Sequence, residues 1–315
     1  MYKISFLKNY RYSCRNSILA NINKSMKVTG FSFIRNAIKF DYPIVEAITS
    51  VLPICDEFVL AVGNSDDATL DLINSIGSDK IKIIQTTWDD SLREGGRVLA
   101  EETDKAFQEI SADTDWCFYI QGDECVHEQY LPIIKNAMQE NLHKETVEGL
   151  LFKYLHFYGS YDYVGVSKRW YRNEIRIIRN NKKIKSYKDA QGFRLYNRKL
   201  NVKAIDAYIY HYGWVKHPSK QQEKAKTFNK LWHTDEWMAT HVPDVDEFDY
   251  SQIDALELFK GNHPEVMKKR ISMMNWKFSF DPTQMKLKGK YLLTYYIEKV
   301  TGYRIGEYKN YKIID

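Results

Sequence analysis

The sequence has 315 residues, of which 44% are apolar and 28% are charged, and its formal net charge is +5. A chain of this length and composition can bury a sizeable core, as one elaborated domain or as a core with a smaller appendage. The basic excess is too diffuse to indicate nucleic-acid binding, whereas it suits phosphorylated ligands or an anionic membrane surface.

The cysteines and the N-terminal segment indicate the cellular compartment of the protein. Four cysteines without CxxC spacing predict reduced, mostly buried thiols in a cytoplasmic protein, with no zinc site. No apolar run approaches the roughly 18 residues of a membrane-spanning helix. Residues 1–25 carry basic side chains, no acid and no apolar core typical of a signal peptide, so they are predicted to form a basic tail or extension.

From Lys27 onward, short apolar runs alternate with amphipathic segments, which is the pattern of a parallel sheet with crossover helices. This first half is predicted to contain strands at 27–34, 58–62, 81–85 and 116–120, and helices at 42–53, from 69 onward and at 94–110. The second half is irregular, aromatic and basic, with a helix at 131–141, strands at 149–157, 172–178 and 192–196, and helical segments at 220–232, 264–276 and 287–300.

The predicted fourth strand ends in YIQGDECVHE, where Asp123 and Glu124 follow Gly122. Open α/β sheets bind ligands at the carboxyl ends of their strands. Two carboxylates there can hold a divalent cation that bridges the phosphates of a nucleotide-activated substrate. The alternative is an acid pair that caps the next helix. Residues after the other strands and at a helix entry are expected to converge on the same edge: Arg35, Asn64 and Arg97.

Four segments of the first half occur in a distinctive order: FSFIRNAIKF, FVLAVGNSDDAT, EGGRVLAEETDKAF and DWCFYIQGDECVHE. In this order they resemble the family 2 glycosyltransferases of GT-A fold, over roughly residues 27–130. The resemblance implies an α/β protein with an open, mostly parallel Rossmann-like sheet flanked by helices, and a smaller antiparallel and helical acceptor-side extension. The implied division is a catalytic domain at 26–215, with a nucleotide-sugar half at 26–130 and an acceptor half at 131–215, and a helical extension at 216–315.

The resemblance also implies roles for the residues at the strand ends. Asp123 matches the acid of the family's DxD signature that binds the metal and the diphosphate, and Glu124 becomes a supporting residue or an acceptor contact. Gln121 stands at the first acidic position, from where it can reach the ribose or a metal-bound water. Asn64 stands where the family often has an aspartate that contacts the base. Arg35 and Arg97 complete the nucleotide-binding set.

A metal ligand and a general base are expected from the second half. By resemblance, the late histidine that closes the metal shell is His211, with His217 as the second choice and a packed histidine as the alternative. Transfer of a sugar with inversion needs a base that takes the acceptor proton. The candidates are Asp162, Asp189 and Asp206, and Asp189 is favoured because a glycine and a predicted strand follow it. An Asx turn is the alternative for Asp189.

Two further features concern the acceptor. An aromatic set suits sugar stacking, although core packing explains most of its members equally well: Trp170, Tyr171, Tyr212, Trp214 and Trp232. The basic, amphipathic stretch KLKGKYLLTYYIEKV can rest on an inner membrane leaflet, and ordinary helix packing is the alternative.

The sequence thus predicts a cytoplasmic, inverting glycosyltransferase of polysaccharide biosynthesis, with peripheral contact at the inner membrane face as an option. It would use a nucleoside-diphosphate sugar and Mg²⁺ or Mn²⁺, and would act on a hydroxyl of a glycan or lipid-linked saccharide. The alternatives are a nucleotidyltransferase, which usually opens with a glycine-rich loop that IRNAIKFD lacks, and a catalytically silent sugar- or nucleotide-binding relative.

Overall fold

The structure is a computed structural model that describes residues 25–92, 95–242 and 244–315. The predicted basic extension at residues 1–25 lies outside these ranges, apart from Ser25. Glu94, the predicted start of the long helix, lies outside them as well. Within the described ranges, no helix combines the length and the apolar character needed to cross a membrane.

The first half of the chain builds a parallel sheet with crossover helices. Its strands are β1 (Val28–Ile34), β2 (Glu57–Gly63), β3 (Ile81–Thr86) and β4 (Trp116–Tyr119). The helices between them are α1 (Ile44–Val51), α2 (Thr69–Asn74) and α3 (Arg97–Gln108). The strands lie in the order β3-β2-β1-β4 and all pair in parallel.

The central strands are apolar on both faces because protein covers the sheet on both sides. In β4, Phe118 belongs to one core cluster and Tyr119 to the other. Helix α1 adds Ile48 to the first cluster, and α3 adds Phe107 to the second. Burial of one such large apolar side chain stabilises the fold by about 1.5–3 kcal/mol. The two clusters therefore hold the carboxyl ends of these strands in place.

The second half extends the sheet beyond β4. Its strands are β5 (Glu124–Val126), β6 (Gly149–Tyr158), β7 (Tyr163–Gly165), β8 (Asn173–Arg179), β9 (Ile184–Tyr187), β10 (Gly192–Leu195), β11 (Arg198–Lys199), β12 (Asn201–Trp214), β13 (Leu256–Leu258) and β14 (Lys312–Ile313). Its helices are α4 (Leu131–Glu140), α5 (Pro218–Asn229), α6 (Asp235–His241), α7 (Lys268–Ser272) and α8 (Lys290–Thr301).

The added strands change the sheet from parallel to mixed. Strand β8 lies antiparallel between β4 and β6, and β12 runs parallel to β6 and antiparallel to β5. Strands β9, β10 and β11 form a separate small antiparallel sheet. The segment 216–315, predicted to be helical, also contributes β13 to β7 and β14 to β12.

The predicted fold class, an α/β protein with an open, mostly parallel sheet flanked by helices, is confirmed. Several elements differ from the sequence prediction, and two of the differences have a local cause. Helix α3 begins at Arg97, because Gly95 and Gly96 adopt left-handed φ angles of 62° and 68° that a right-handed helix excludes. Strand β5 at Glu124–Val126 was not predicted, because three residues carry too short a pattern to indicate a strand.

Candidate active site

A cavity of about 940 Å³ opens at the carboxyl ends of β1 and β4. Its size is within the range of small-molecule and cofactor sites. Five of the seven predicted site residues line this cavity: Arg35, Gln121, Asp123, Asp189 and His211. Helix α5 and the segment after it close the opposite side, so the cavity is built from both halves of the chain.

Asp123 is the charged centre of this cavity. Its Oδ2 accepts a hydrogen bond from Lys224 Nζ at 3.2 Å, and each of the two side chains is 13% exposed. Burial raises the pKa of the Asp123 carboxyl, but the charge of Lys224, the largest of the basic contributions around it, and its hydrogen bond outweigh burial and hold that pKa well below its usual value. Asp123 is therefore an ionised carboxylate, with a cation supplied by α5.

His211 approaches the other oxygen of the same carboxylate. Its Nε2 lies 3.7 Å from Asp123 Oδ1, and its Nδ1 lies 3.4 Å from Nδ1 of His156. Burial lowers the pKa of His156 well below its usual value, so that ring is neutral. The His156 Nε2 donates to the Tyr171 carbonyl at 2.8 Å, which leaves its Nδ1 as an acceptor. Burial lowers the pKa of His211 as well, so this ring is also neutral. It then donates through Nδ1, and the lone pair on its Nε2 faces Asp123.

Pairing of β5 with β12 brings these groups together. His211 lies opposite Glu124 in the antiparallel register, and the Tyr212 amide donates to the Asp123 carbonyl at 2.7 Å. Gly213 completes the arrangement, because a Cβ there would lie 2.7 Å from both Asp123 Oδ2 and His211 Cε1. The glycine thus leaves room for the carboxylate and the imidazole to meet.

Glu124 has a different role from its neighbour. It is fully buried and forms a two-pronged ion pair with Arg176, with distances of 2.7 and 2.8 Å. It also accepts hydrogen bonds from the Tyr154 hydroxyl at 2.7 Å and from the Gln121 backbone N–H at 3.0 Å. These four bonds use both carboxylate oxygens, so Glu124 supports the turn that carries Asp123 and makes no contact with the cavity.

Asp189 lies in a short strained loop on the cavity wall. Its neighbours Lys188 and Ala190 both adopt left-handed φ angles, 57° and 63°, which non-glycine residues rarely take. The loop is fixed by Gln121, whose Nε2 donates to the Ala190 carbonyl at 3.2 Å, and by Arg176, whose Nη1 donates to the Gln191 carbonyl at 2.9 Å. Burial raises the pKa of the Asp189 carboxyl, which makes it a better proton acceptor.

The expected nucleotide-binding residues of β1 and β2 lie close together. Arg35 donates from Nε to the Asn64 carbonyl at 3.1 Å and from Nη1 to Asp90 at 2.8 Å. Its guanidinium lies 5.5 Å from the centre of the Trp88 ring. Asn64 itself does not line the cavity, because its side-chain oxygen accepts from the Trp88 amide at 3.2 Å. Asn64 therefore shapes the loop that presents Trp88.

Arg97 lies away from the other predicted site residues. Its side chain is 70% exposed, points toward Glu101 at 3.7 Å and does not line the cavity. The glycine before it is closer to the site, because a Cβ on Gly96 would lie 2.9 Å from both Asp189 Cβ and the Trp232 ring. At the start of α3, Gly96 therefore allows Asp189 and Trp232 to pack closely against the backbone, and Arg97 brings no positive charge to the cavity.

The second choice for the metal ligand and the two other candidates for the general base lie outside the cavity. His217 caps the start of α5, where its Nδ1 accepts from the Ser219 amide at 3.3 Å. Asp206 is exposed and pairs with Lys153 at 2.7 Å, and Asp162 accepts from the Ser160 hydroxyl at 3.0 Å. None of these three lines the cavity.

Most of the predicted aromatic set lines the cavity: Trp170, Tyr171, Trp214 and Trp232. Tyr212 does not, because its ring is buried beside Phe157 and its hydroxyl bonds His263 at 2.8 Å. Sequence reasoning missed Lys224 and His156. The sequence carries little signal for Lys224, because the segment of α5 has few apolar residues and its buried positions are the polar Gln221 and Gln222.

The residues of the site can supply part of a metal shell. Within the described ranges there is no cluster of three or more His, Cys, Asp or Glu side chains arranged to hold a metal. Asp123 Oδ1 and the His211 Nε2 lone pair do provide two suitable donors on one side of the cavity. A divalent cation held by these two groups would have to take its remaining ligands from a bound substrate and water.

No family model matches the sequence, and the search of curated proteins gives no match either. Among solved structures, S. aureus TarS is 17% identical over 64% of this chain and 39% of the TarS chain, with a TM-score of 0.39. TarS 1-349 in complex with UDP gives the same identity and TM-score over 64% of each chain. Glucosyl-3-phosphoglycerate synthase from Mycobacterium tuberculosis, in complex with Mn²⁺, UDP and phosphoglyceric acid, is 17% identical over 42% of this chain and 44% of its own, with a TM-score of 0.29. At these TM-scores the likeness carries no weight for an activity.

Proposed function

We propose that this protein is a glycosyltransferase, which moves a sugar from a nucleoside-diphosphate sugar to an acceptor hydroxyl. The observation that carries the proposal is one cavity lined by the Asp123–Lys224 ion pair, the imidazole of His211 and the carboxyl of Asp189. A departing diphosphate needs cationic and hydrogen-bonding groups, and an attacking hydroxyl needs a base. This cavity offers both.

The donor nucleotide is expected to lie along the ends of β1 and β4. Lys224 supplies a buried positive charge for the diphosphate, in a cavity where low dielectric strengthens the attraction. Arg35 and the Trp88 ring, which already stack on each other, offer a cationic and aromatic surface for the base and ribose. A divalent cation held by Asp123 and His211 would neutralise charge on the diphosphate oxygens.

Asp189 is the proposed general base. It takes the proton from the acceptor hydroxyl while the acceptor oxygen forms its bond to the anomeric carbon. The bond between that carbon and the diphosphate oxygen breaks, and the nucleoside diphosphate leaves with the electron pair. Attack from the side opposite the leaving group inverts the anomeric configuration. The burial that raises the Asp189 pKa and the bonds that fix its loop both favour this role.

The acceptor is expected on the aromatic side of the cavity. Trp170, Trp214 and Trp232 line that side, and flat aromatic rings pack well against the apolar faces of sugars. A glycan or lipid-linked saccharide fits such a surface, and the hydroxyl that reacts must reach Asp189.

A catalytically silent relative that binds a nucleotide or sugar is the second candidate. Two observations favour it: Lys224 already neutralises Asp123, and the Gln121 side-chain amide already donates to the Ala190 carbonyl. In such a protein the cavity would bind its ligand without cleaving the donor bond.

Calorimetry with UDP and GDP, with and without Mn²⁺, is the first test. Binding of a nucleoside diphosphate supports the donor site, and a thermal-shift screen over nucleotide sugars then identifies the donor. Asp123→Asn should weaken binding, and Asp189→Asn should abolish release of the nucleoside diphosphate while binding persists. Asp206→Asn, an exposed carboxylate outside the cavity, serves as the control. Release of product that Asp189→Asn leaves unchanged contradicts the assignment of the base, and binding without release in the unaltered protein favours the silent relative.

The metal has its own test. In His211→Ala, Mn²⁺ should no longer raise the affinity for the nucleoside diphosphate, because one of the two protein donors is gone. His217→Ala is the matched control, since that histidine caps α5 outside the cavity. An effect of Mn²⁺ that persists in His211→Ala would remove His211 from the metal shell.

A further inference from the structure

Helix α8 carries an exposed apolar stripe. Leu293, Tyr296 and Val300 are 63%, 56% and 85% exposed, and their spacing of three and four residues places them on one face of the helix. Further exposed apolar and tyrosine side chains follow in the same C-terminal segment: Tyr303, Ile305, Tyr308 and Ile313. We call Leu293, Tyr296, Val300 and Tyr303 the α8 surface. An exposed apolar group of this extent usually contacts something.

The charge around the α8 surface is one-sided. The two acids of residues 286–313 are Glu298 and Glu307. Glu298 pairs with Arg304 at 2.7 Å, and Glu307 pairs with Arg172 at 2.8 Å, so both acids already have a basic partner. Arg304 is itself used by Glu298, and Lys299 pairs with Glu257 of β13 at 2.6 Å. The remaining basic residues of the segment still outnumber the acids: Lys286, Lys288, Lys290, Lys309 and Lys312. The segment therefore combines exposed apolar and tyrosine side chains with an excess of positive charge.

We propose that the α8 surface docks on an anionic lipid bilayer. Amphipathic helices that combine an apolar stripe with lysines lie in the plane of the bilayer interface, with the apolar side chains inserted. Tyrosine rings favour the headgroup level, where one end is apolar and the other is hydrated. Lysines near anionic headgroups each contribute attraction, and Lys288 and Lys290 immediately precede the stripe.

The charge also argues against a second copy of the chain as the occupant. Two copies of the α8 surface would bring two positively charged segments together, and like charges across an interface oppose association. An anionic bilayer has the complementary sign. A dimer that forms through this surface is therefore an outcome that the experiment must be able to detect.

The helix is attached to the wall of the cavity. Arg304 donates to the Trp170 carbonyl, and Lys168 donates to the Ile305 carbonyl at 2.8 Å. Arg172 donates to the Gly302 carbonyl at 2.9 Å, and Trp170 lines the cavity. Docking of α8 would thus hold the aromatic wall near the lipid surface. If the proposed function is correct, this position suits an acceptor that is itself anchored in the bilayer.

Vesicle binding of the full chain tests the docking proposal without any donor or acceptor. The unaltered protein should co-sediment with vesicles that contain phosphatidylglycerol, and less with pure phosphatidylcholine or at raised salt. Leu293→Ser with Val300→Ser should weaken binding by at least about tenfold. Lys288→Gln with Lys290→Gln should weaken it by more than about tenfold on anionic vesicles. Ile133→Ser with Lys135→Gln, which removes an exposed apolar group and a lysine from α4, is the matched control.

Leu293→Trp gives a second readout that does not depend on loss of binding. This variant keeps an apolar side chain, and the tryptophan emission should shift to the blue when vesicles are added. Equal binding by the serine variant and the control overturns the proposal, and so does a serine variant that changes only the oligomeric state in solution. The result is independent of sugar transfer, because a protein without any transferase activity can still bind or fail to bind the vesicles.

Discussion

Lys224 Nζ lies 3.2 Å from Asp123 Oδ2, and this ion pair joins a helix of the C-terminal part of the chain to the end of the central sheet. The same ammonium group donates to the Gly213 carbonyl at 3.3 Å and lies 4.7 Å from the centre of the Tyr42 ring. Burial opposes the charge on Lys224, but Tyr42 and Asp123 favour it and its pKa is raised. The cavity thus contains a fixed positive charge next to the Asp123 carboxylate.

Lys224→Met should weaken the binding of a nucleoside diphosphate by about tenfold to a hundredfold, because a charge-assisted bond to phosphate is lost. It should leave binding of the corresponding nucleoside nearly unchanged. Removal of one partner from a buried pair also lowers the free energy of unfolding, by about 3 kcal/mol. Calorimetry and urea unfolding measure the two effects.

Lys226→Met is the control for this variant, because Lys226 lies on the same helix but pairs with exposed Asp244. Equal loss of affinity for the nucleoside and the diphosphate in Lys224→Met would show that the lysine shapes the cavity without binding phosphate. Binding of neither ligand by the unaltered protein would instead refute the donor site.

Gln121 gives a prediction that separates binding from positioning. Its side chain donates to the Ala190 carbonyl, next to Asp189, so Gln121→Leu should loosen the loop that carries the proposed base. We expect kcat to fall about tenfold through loss of orientation, with the affinity for the nucleoside diphosphate within about twofold of the original. Steady-state kinetics and calorimetry measure the two quantities. A large loss of affinity at unchanged kcat would return Gln121 to the role of a nucleotide ligand.

The buried pair of Glu124 and Arg176 should dominate the stability of the site. Arg176→Met leaves a buried carboxylate without its cation and is expected to cost about 3–5 kcal/mol in the free energy of unfolding. The double change Glu124→Gln with Arg176→Met should cost less than the sum of the single changes, because neither charge is then left alone. Lys82→Met, which breaks an exposed pair with Glu109, should cost at most about 1 kcal/mol. Additive single and double changes, measured by urea unfolding, would contradict the coupling.

The buried Lys216 is expected to make the free energy of unfolding change with pH in the alkaline range. Burial, together with the charge of Lys224, lowers the pKa of Lys216 from 10.5 to about 7. Between these two values the unfolded chain binds more protons than the folded protein, so stability should rise as pH increases from about 7 toward 10.5. The slope from this one group approaches about 1.4 kcal/mol per pH unit.

Lys216→Met should remove that slope, since the titrating group is gone. Unfolding of both proteins by urea at several pH values gives the difference directly. Lys220→Met, at a half-exposed lysine on the following helix, is the control. Parallel stability curves for the unaltered protein and Lys216→Met would mean that Lys216 keeps its charge when buried.

The sequence by itself determined the parallel half of the sheet and the edge at which the site lies. Its central strands are continuous apolar runs that end in glycine and polar residues, and such runs fix both their burial and the position of Asp123. Arg35, Gln121 and Asp189 also line the cavity as expected. These features depend on neighbours in the sequence, which is why local patterns can indicate them.

Only the tertiary structure decided which partners these residues meet. Asp123 and Lys224 are separated by about a hundred positions, and Glu124 meets Arg176 across a strand of the second half. Two adjacent acids look alike in the sequence, yet one faces the cavity and the other is enclosed in the core. Asp123 lies in the turn and Glu124 begins β5, and the packing of distant strands and helices decides which of the two side chains is buried. The charge that surrounds each carboxylate, and therefore its chemistry, is a property of that packing.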